Sequence, residues 1–323
     1  MRKTVLATIA LAVVAGTVIG AEAGLPKLAV KATYKVGFAQ VSANETWRIA
    51  ETKSIQDEAK KLGYQLVYTD GQSSAAKQVA DVRSMIAQKV DAIFLAPREE
   101  KPLAPVVIEA REAGIPVFLL DRTVDTSIAK PGVDFVTFIG SDFIMEGQRV
   151  GQWLVKTMAG KTAKIIELEG TTGASAATDR KTGFDDAIKG AANLQLVASQ
   201  SGDFNRDKGR QVAETLLQAH PDANVIFAAN DDMAIGALSA IEAAGKKPGK
   251  DIIVMSIDGS RAGVQAIVDG KMNYIVECSP KFGPKAFATL KSYAKGDKIP
   301  AKLINPDREF TQANAKRLLN SAF

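Results

Sequence analysis

Residues 89–122 read KVDAIFLAPREEKPLAPVVIEAREAGIPVFLLDR. A short strand-like segment, Asp91–Ala96, leads into a polar turn, then an amphipathic helical stretch ending near Gly114, then a second strand-like segment, Pro116–Leu120. Short apolar runs bounded by turn residues predict strands, and the helical period between them predicts the crossover helix of a β–α–β unit. Gly114 stands where the helix must stop, at a position that favours positive φ, and Ile115-Pro116 restarts extended chain.

The same unit extends in both directions. Upstream lie Tyr34–Val41 and Tyr64–Thr69, with Gly63 as a second helix stop. Downstream, a loop holding Pro131-Gly132 leads to Phe135–Ile139, and the rhythm resumes at Ala163–Leu168, Leu194–Ser199, Val225–Ala228 and Ile252–Ile257. Strand and helix in strict alternation predict a parallel sheet covered on both faces. The chain is long enough for two such units, so we expect an α/β protein of two doubly wound parallel-sheet lobes. The boundary is expected near Gly140-Ser141, with further crossings at Asn273–Ser279 and Lys302–Pro306. That assigns residues 34–140 plus 279–308 to the first lobe and 141–278 plus 309–323 to the second.

Arg2 and Lys3 precede a mostly apolar run from Val5 to Ile19, and Ala21-Glu22-Ala23 follows. This is the pattern of a cleaved signal peptide over residues 1–23, with an exported mature chain starting at Gly24. Cys278 is the only cysteine, so no internal disulfide forms and stability must come from packing. The formal charge is +5 with basic and acidic residues interspersed, which gives nucleic-acid binding no support. The cluster Lys246, Lys247 and Lys250 flanks Pro248-Gly249 and reads as a solvated turn.

Open α/β sheets bind ligands beyond the carboxyl ends of their strands. Polar residues concentrate there: Asn44-Glu45-Thr46-Trp47-Arg48 after the first strand, Asp121-Arg122 after the fourth, Asn230-Asp231-Asp232 and Asp258-Gly259 in the second half. Helix capping accounts for single Asn and Asp residues but not for Trp47 and Arg48. Phosphate-loop readings fail on spacing, since Gly160-Lys161-Thr162 has Val155 where the first glycine belongs. The single histidine, His220, precedes Pro221 at a helix end, which suits a cap and not a catalytic triad. One Cys and one His make no zinc site, and Asp231-Asp232 reads first as a capped helix start. No cofactor or metal is expected.

Asp121-Arg122, Gly202-Asp203-Phe204-Asn205-Arg206, Ala229–Ala237 (ANDDMAIGA) and Ile257-Asp258-Gly259, in that order and strand context, resemble the ribose and galactose class of periplasmic sugar-binding proteins. Thr171–Ser175 and Thr178–Phe184 are similar too, and Asn44–Arg48 adds a likeness to the galactofuranose-binding member. The resemblance covers essentially the whole mature chain. It implies the type I periplasmic binding fold, with a multi-strand hinge and a site between the lobes. There Trp47 and Phe204 would face the two sides of a sugar ring. Asn44, Glu45, Arg48, Asp121 and Arg122 would serve it from the first lobe, Arg180, Asn230 and Asp258 from the second, and Glu277 from the hinge. Arg48 replaces an aromatic of the ribose binders, which argues against plain ribose. Phe143 stands where many relatives carry Asn, so either Asp142 supplies that polar contact or the ligand has an apolar edge there.

The residue chemistry agrees. A sugar presents apolar C–H faces and a girdle of hydroxyls that both donate and accept. Aromatic rings suit the faces, and carboxylates and guanidinium forks suit the girdle, at about 1.5–3 kcal/mol for each charge-assisted hydrogen bond. We therefore expect a monomeric, non-enzymatic monosaccharide-binding component of an ABC importer, partnered by its membrane permease. Presentation to a chemoreceptor or sensor-kinase ectodomain is the alternative. A repressor's sensing half would need an N-terminal DNA-binding module where the signal peptide stands, and a glycosidase would need a paired acid and base.

Overall fold

A computed structural model describes residues 24–323; the expected signal peptide, residues 1–23, lies outside the described residues. The chain opens with β1 (Lys35–Gln40), α1 (Thr46–Leu62), β2 (Gln65–Asp70), α2 (Ala75–Ala87), β3 (Ala92–Leu95), α3 (Glu100–Glu112), β4 (Val117–Leu120) and β5 (Thr137–Gly140). It crosses at Ser141-Asp142 into α4 (Phe143–Thr157), β6 (Ala163–Glu169), α5 (Ser175–Ile188), β7 (Leu194–Ser201), α6 (Arg206–Ala219), β8 (Val225–Ala228), α7 (Asp231–Ala243), β9 (Ile253–Asp258), α8 (Arg261–Val268) and β10 (Tyr274–Glu277). The last elements are α9 (Gly283–Ala294), β11 (Lys302–Ile304), β12 (Glu309–Thr311) and α10 (Ala315–Leu318).

Two six-stranded sheets result, ordered β11-β5-β4-β3-β1-β2 and β12-β10-β9-β8-β6-β7. The first is wholly parallel. The second is parallel except for β12, which runs antiparallel to β10. Strand order reverses at β1 in the first sheet and at β6 in the second, so each lobe has a topological switch point, where crevices form. The central strands are buried over their whole length because helices cover both faces; β2 and β7, at the edges, are only partly covered. Gly63 and Gly114 end α1 and α3 with φ of 69° and 78°, as their places in the sequence require.

Within the expected crossing Asn273–Ser279, Tyr274–Glu277 forms an interior strand, buried at all four residues and paired with β9 and β12. The chain leaves the second sheet only after it. α9 then returns to the first lobe, where Phe287 packs edge-on against Phe94 at 5.0 Å and Tyr64 at 5.8 Å between ring centroids. β11 joins the first sheet and β12 the second, which makes the third crossing.

In the second lobe α4 and α5 pack unusually close. A methyl group on Gly147 would lie 2.1 Å from the Arg180 carbonyl, and one on Gly183 would lie 2.1 Å from the Ile144 carbonyl. Only residues without a side chain allow this approach. Its product is positional: it sets Glu146 of α4 beside Arg180 of α5.

Candidate functional site

The carboxyl ends of the two sheets face each other across a narrow cleft. The first lobe lines it with Glu45, Trp47, Arg48, Asp121 and Arg122, and the second with Ala176, Arg180, Phe204, Asn230 and Asp258. Nine of the eleven residues expected there are thus brought together. The other two are not. Asn44 is exposed and lies outside the lining. Glu277 turns away to form a two-pronged ion pair with Arg308, Oε2 to Nε at 2.6 Å and Oε1 to Nη2 at 2.5 Å. Its place at the end of β10, opposite the incoming β12, puts a cation within reach.

Strand ends hold the acidic residues under strain. Asp121 follows β4 with φ of 60°, and Asp258 ends β9 with φ of 136°. A non-glycine residue at positive φ persists only where the surroundings fix it, most often at functional positions. Phe204 is held similarly, at φ of 56° in the turn between β7 and α6.

The charges interlock within each lobe. In the first, Arg48 donates from Nη2 to Asp121 at 2.5 Å and from Nη1 to Glu51 at 3.0 Å, and Gln40 donates to the same Glu51 oxygen at 2.9 Å. In the second, Arg180 donates from Nε to Glu146 at 2.8 Å and from Nη1 to the Ala229 carbonyl at 2.6 Å, with Asp258 3.6 Å from Nη2. All of these side chains are buried. Burial opposes charging Arg48 and Arg180, but the surrounding carboxylates outweigh it and keep both guanidinium groups charged. Burial pushes Glu51 and Glu146 up to about 7, and pushes Asp258 well above the usual carboxylate range. Arg122 falls to about 10, through burial and then the nearby Arg48 charge. Its Nη1 donates to the Arg98 carbonyl at 3.1 Å, while its Nε, 3.6 Å from Asp121 Oδ2, makes no hydrogen bond among the described residues.

The aromatic residues are partnered as well. The Arg48 guanidinium lies 4.6 Å from the Trp47 ring centroid, and Trp47 Nε1 donates to the Cys278 carbonyl at 2.7 Å, beside a lobe crossing. Phe204 has Arg122 at 5.1 Å and Arg180 at 5.7 Å from its ring. Phe143 covers Arg180 at 5.2 Å, a cation–π contact in place of a polar one. Asp142 takes no part in the cleft: it caps α4, accepting from Met145 N at 3.0 Å. Asn230 caps α7 through Oδ1 and donates from Nδ2 to the Phe204 carbonyl at 3.1 Å, so one side chain fixes both a helix start and the aromatic loop. Asp231 accepts from Ser256 and Ser260 and is structural.

Sequence reasoning missed Glu51 and Glu146. A lone Glu within a helix reads as surface charge. Its one available signal was the spacing from Arg48 to Glu51, which is that of neighbours on a helix face.

Residues 36–298 match the family model described as a periplasmic binding protein domain. The chain belongs to the periplasmic binding protein family. It is 45% identical to the galactofuranose-binding protein YtfQ of Escherichia coli over 284 residues, 87% of this chain and 88% of that one. Among solved structures, a Mycobacterium smegmatis protein in complex with β-D-fucofuranose is 46% identical with a TM-score of 0.86, covering 89% of this chain and 94% of that one. The binding component of the arabinose ABC transporter of Shewanella sp. ANA-3, bound to α- and β-L-arabinofuranose, is 40% identical with a TM-score of 0.84, covering 89% and 95%. Against this family background, the two sheets are the two lobes of a type I periplasmic binding protein, and the cleft lies where the family resemblance placed the ligand.

Proposed function

We propose that this chain captures one monosaccharide in its furanose form between the lobes and hands it to the permease of an ABC importer. The observation that carries the reading is the convergence of three arginines and three carboxylates from both lobes, with the Trp47 and Phe204 rings, on one narrow cleft. The forks and carboxylates match a girdle of hydroxyls, and Arg122 Nε, which makes no hydrogen bond among the described residues, can donate to a ligand oxygen. The fucofuranose, galactofuranose and arabinofuranose ligands of the similar proteins support the ring form. Binding without turnover, cleavage of the leader after Ala23, a periplasmic location and a monomeric state belong to the same proposal.

Titration calorimetry with D-galactose, D-fucose and L-arabinose should give micromolar or tighter binding. Asp258→Ala should weaken it about tenfold or more through loss of a charge-assisted contact. Carbon-13 NMR of bound 1-¹³C-labelled sugar reads the ring form from its anomeric resonance. A pyranose resonance in the complex would overturn the furanose assignment.

A further inference from the structure

Five helices provide their own side-chain N-cap: Ser74 for α2, Asp142 for α4, Asn205 for α6, Asn230 for α7 and Ser260 for α8. Of the other five, α1 and α3 have the N-cap residues Glu45 and Glu99, which make no such bond. Both helices start at the cleft, and both find their acceptor in the opposite lobe. Glu100 N donates to the Gly173 carbonyl at 2.9 Å. Thr46, the first residue of α1, donates from its backbone N at 3.2 Å and from Oγ1 at 3.1 Å to the two oxygens of Asp232. No acidic residue stands in the first turn of α1 itself.

We infer that Asp232 is a closure latch, a second-lobe carboxylate that caps the first helix of the first lobe and slows sugar release without lining the sugar cleft. Asp232 is on α7 but outside the cleft lining, and Arg206 of its own lobe holds it in place, with Nε at 3.1 Å and Nη2 at 2.5 Å from Oδ1. Orphan N–H groups and the positive end of the helix dipole at α1 favour a carboxylate. Separation of the lobes takes that carboxylate away and leaves α1 to be capped by water. The bond is therefore worth most in the closed form and adds to closure alone, so it acts on residence time more than on encounter. The latch rests on sugar binding in the cleft and adds a residue that sets its strength.

Two substitutions remove the bond from opposite sides. Asp232→Ala deletes the acceptor. Thr46→Pro deletes both donors while keeping the helix start, because proline is favoured at the first helical position and Glu45, at φ −99° and ψ 138°, already has the conformation required before it. Stopped-flow release of the tightest of D-galactose, D-fucose and L-arabinose should be about tenfold faster in each, the scale of a lost helix cap, with association changed less than twofold. The double variant should release no faster than the faster single one. Arg206→Gln, which keeps the carboxylate facing Thr46 but loosens its hold, should release at a rate between those of the parent and Asp232→Ala, and thermal unfolding checks that each variant folds. Unchanged release in both singles, a multiplied effect in the double, or an Arg206→Gln effect as large as that of Asp232→Ala would overturn the latch. A parent protein that binds none of the three sugars would instead overturn the sugar reading.

Discussion

At the scale of single residues, the cleft is built from groups that are costly to bury, arranged so that each cost is met locally. Arg48 and Arg180 stay charged because each has at least two carboxylates within 4 Å; Glu51 and Glu146 stand behind them and do not line the cleft. Glu146 has a measurable signature. Its carboxyl moves from 4.5 to about 7 on folding because burial disfavours the charge. Below pH 4.5 it is protonated in both states. As pH rises to 7 the unfolded chain ionises first, so the stability this group contributes at low pH is lost, on the order of 3 kcal/mol across the window. Glu146→Gln removes the titration but keeps an acceptor for Arg180. Denaturant unfolding at intervals from pH 4.5 to 7.5 should show the variant gaining on the parent by about that amount, whatever their offset at pH 4.5. A pH-independent difference would show that Glu146 stays ionised in the folded protein.

At the scale of elements, strands and their ends were legible because buried parallel strands are short apolar runs, and a ligand site in such a sheet must lie just past them. Asp121, Asn230 and Asp258 were flagged by that rule, and the family resemblance gave them their places in the site. β11 and β12 have three residues each, too few to show a period, and the antiparallel turn of β12 carries no local mark. Glu277 was misplaced for a related reason: its partner, Arg308, lies 31 residues away and comes alongside only through β12. Close packing of α4 on α5 was equally silent, since Gly147 and Gly183 look like weak helix positions until the facing backbone is seen. Gly183→Ala tests this contact. With a carbonyl 2.1 Å from the added carbon, the helices must part, at about 2 kcal/mol or more of stability, and Arg180 moves with α5, so sugar affinity should fall too. Gly190→Ala, where nothing lies within 4 Å, should change stability by less than about 0.5 kcal/mol. Equal urea midpoints for the two variants would rule out the tight crossing.

At the scale of the molecule, the cleft, the crossings and the inter-lobe bonds make one device whose state can be read optically. Trp47 lines the cleft and is bonded to Cys278 at a crossing, whereas Trp153 stacks on Tyr274 at 4.9 Å inside the second lobe. Sugar should therefore shift tryptophan emission in the parent and in Trp153→Phe, but leave Trp47→Phe nearly silent; the reverse pattern would place the moving parts elsewhere. The three crossings also bear on how the chain is made. Phe94 and Phe118, near the middle of the first sheet, are covered by Phe287 and Tyr293 of α9, and one edge strand of each sheet comes from residues 302–311. A ribosome that has finished residue 140 has made every strand of the first lobe except β11, but not the helix that seals it. For most of translation the nascent chain thus carries an unsealed aromatic face, a natural grip for a chaperone and a reason for folding to wait until synthesis is nearly complete.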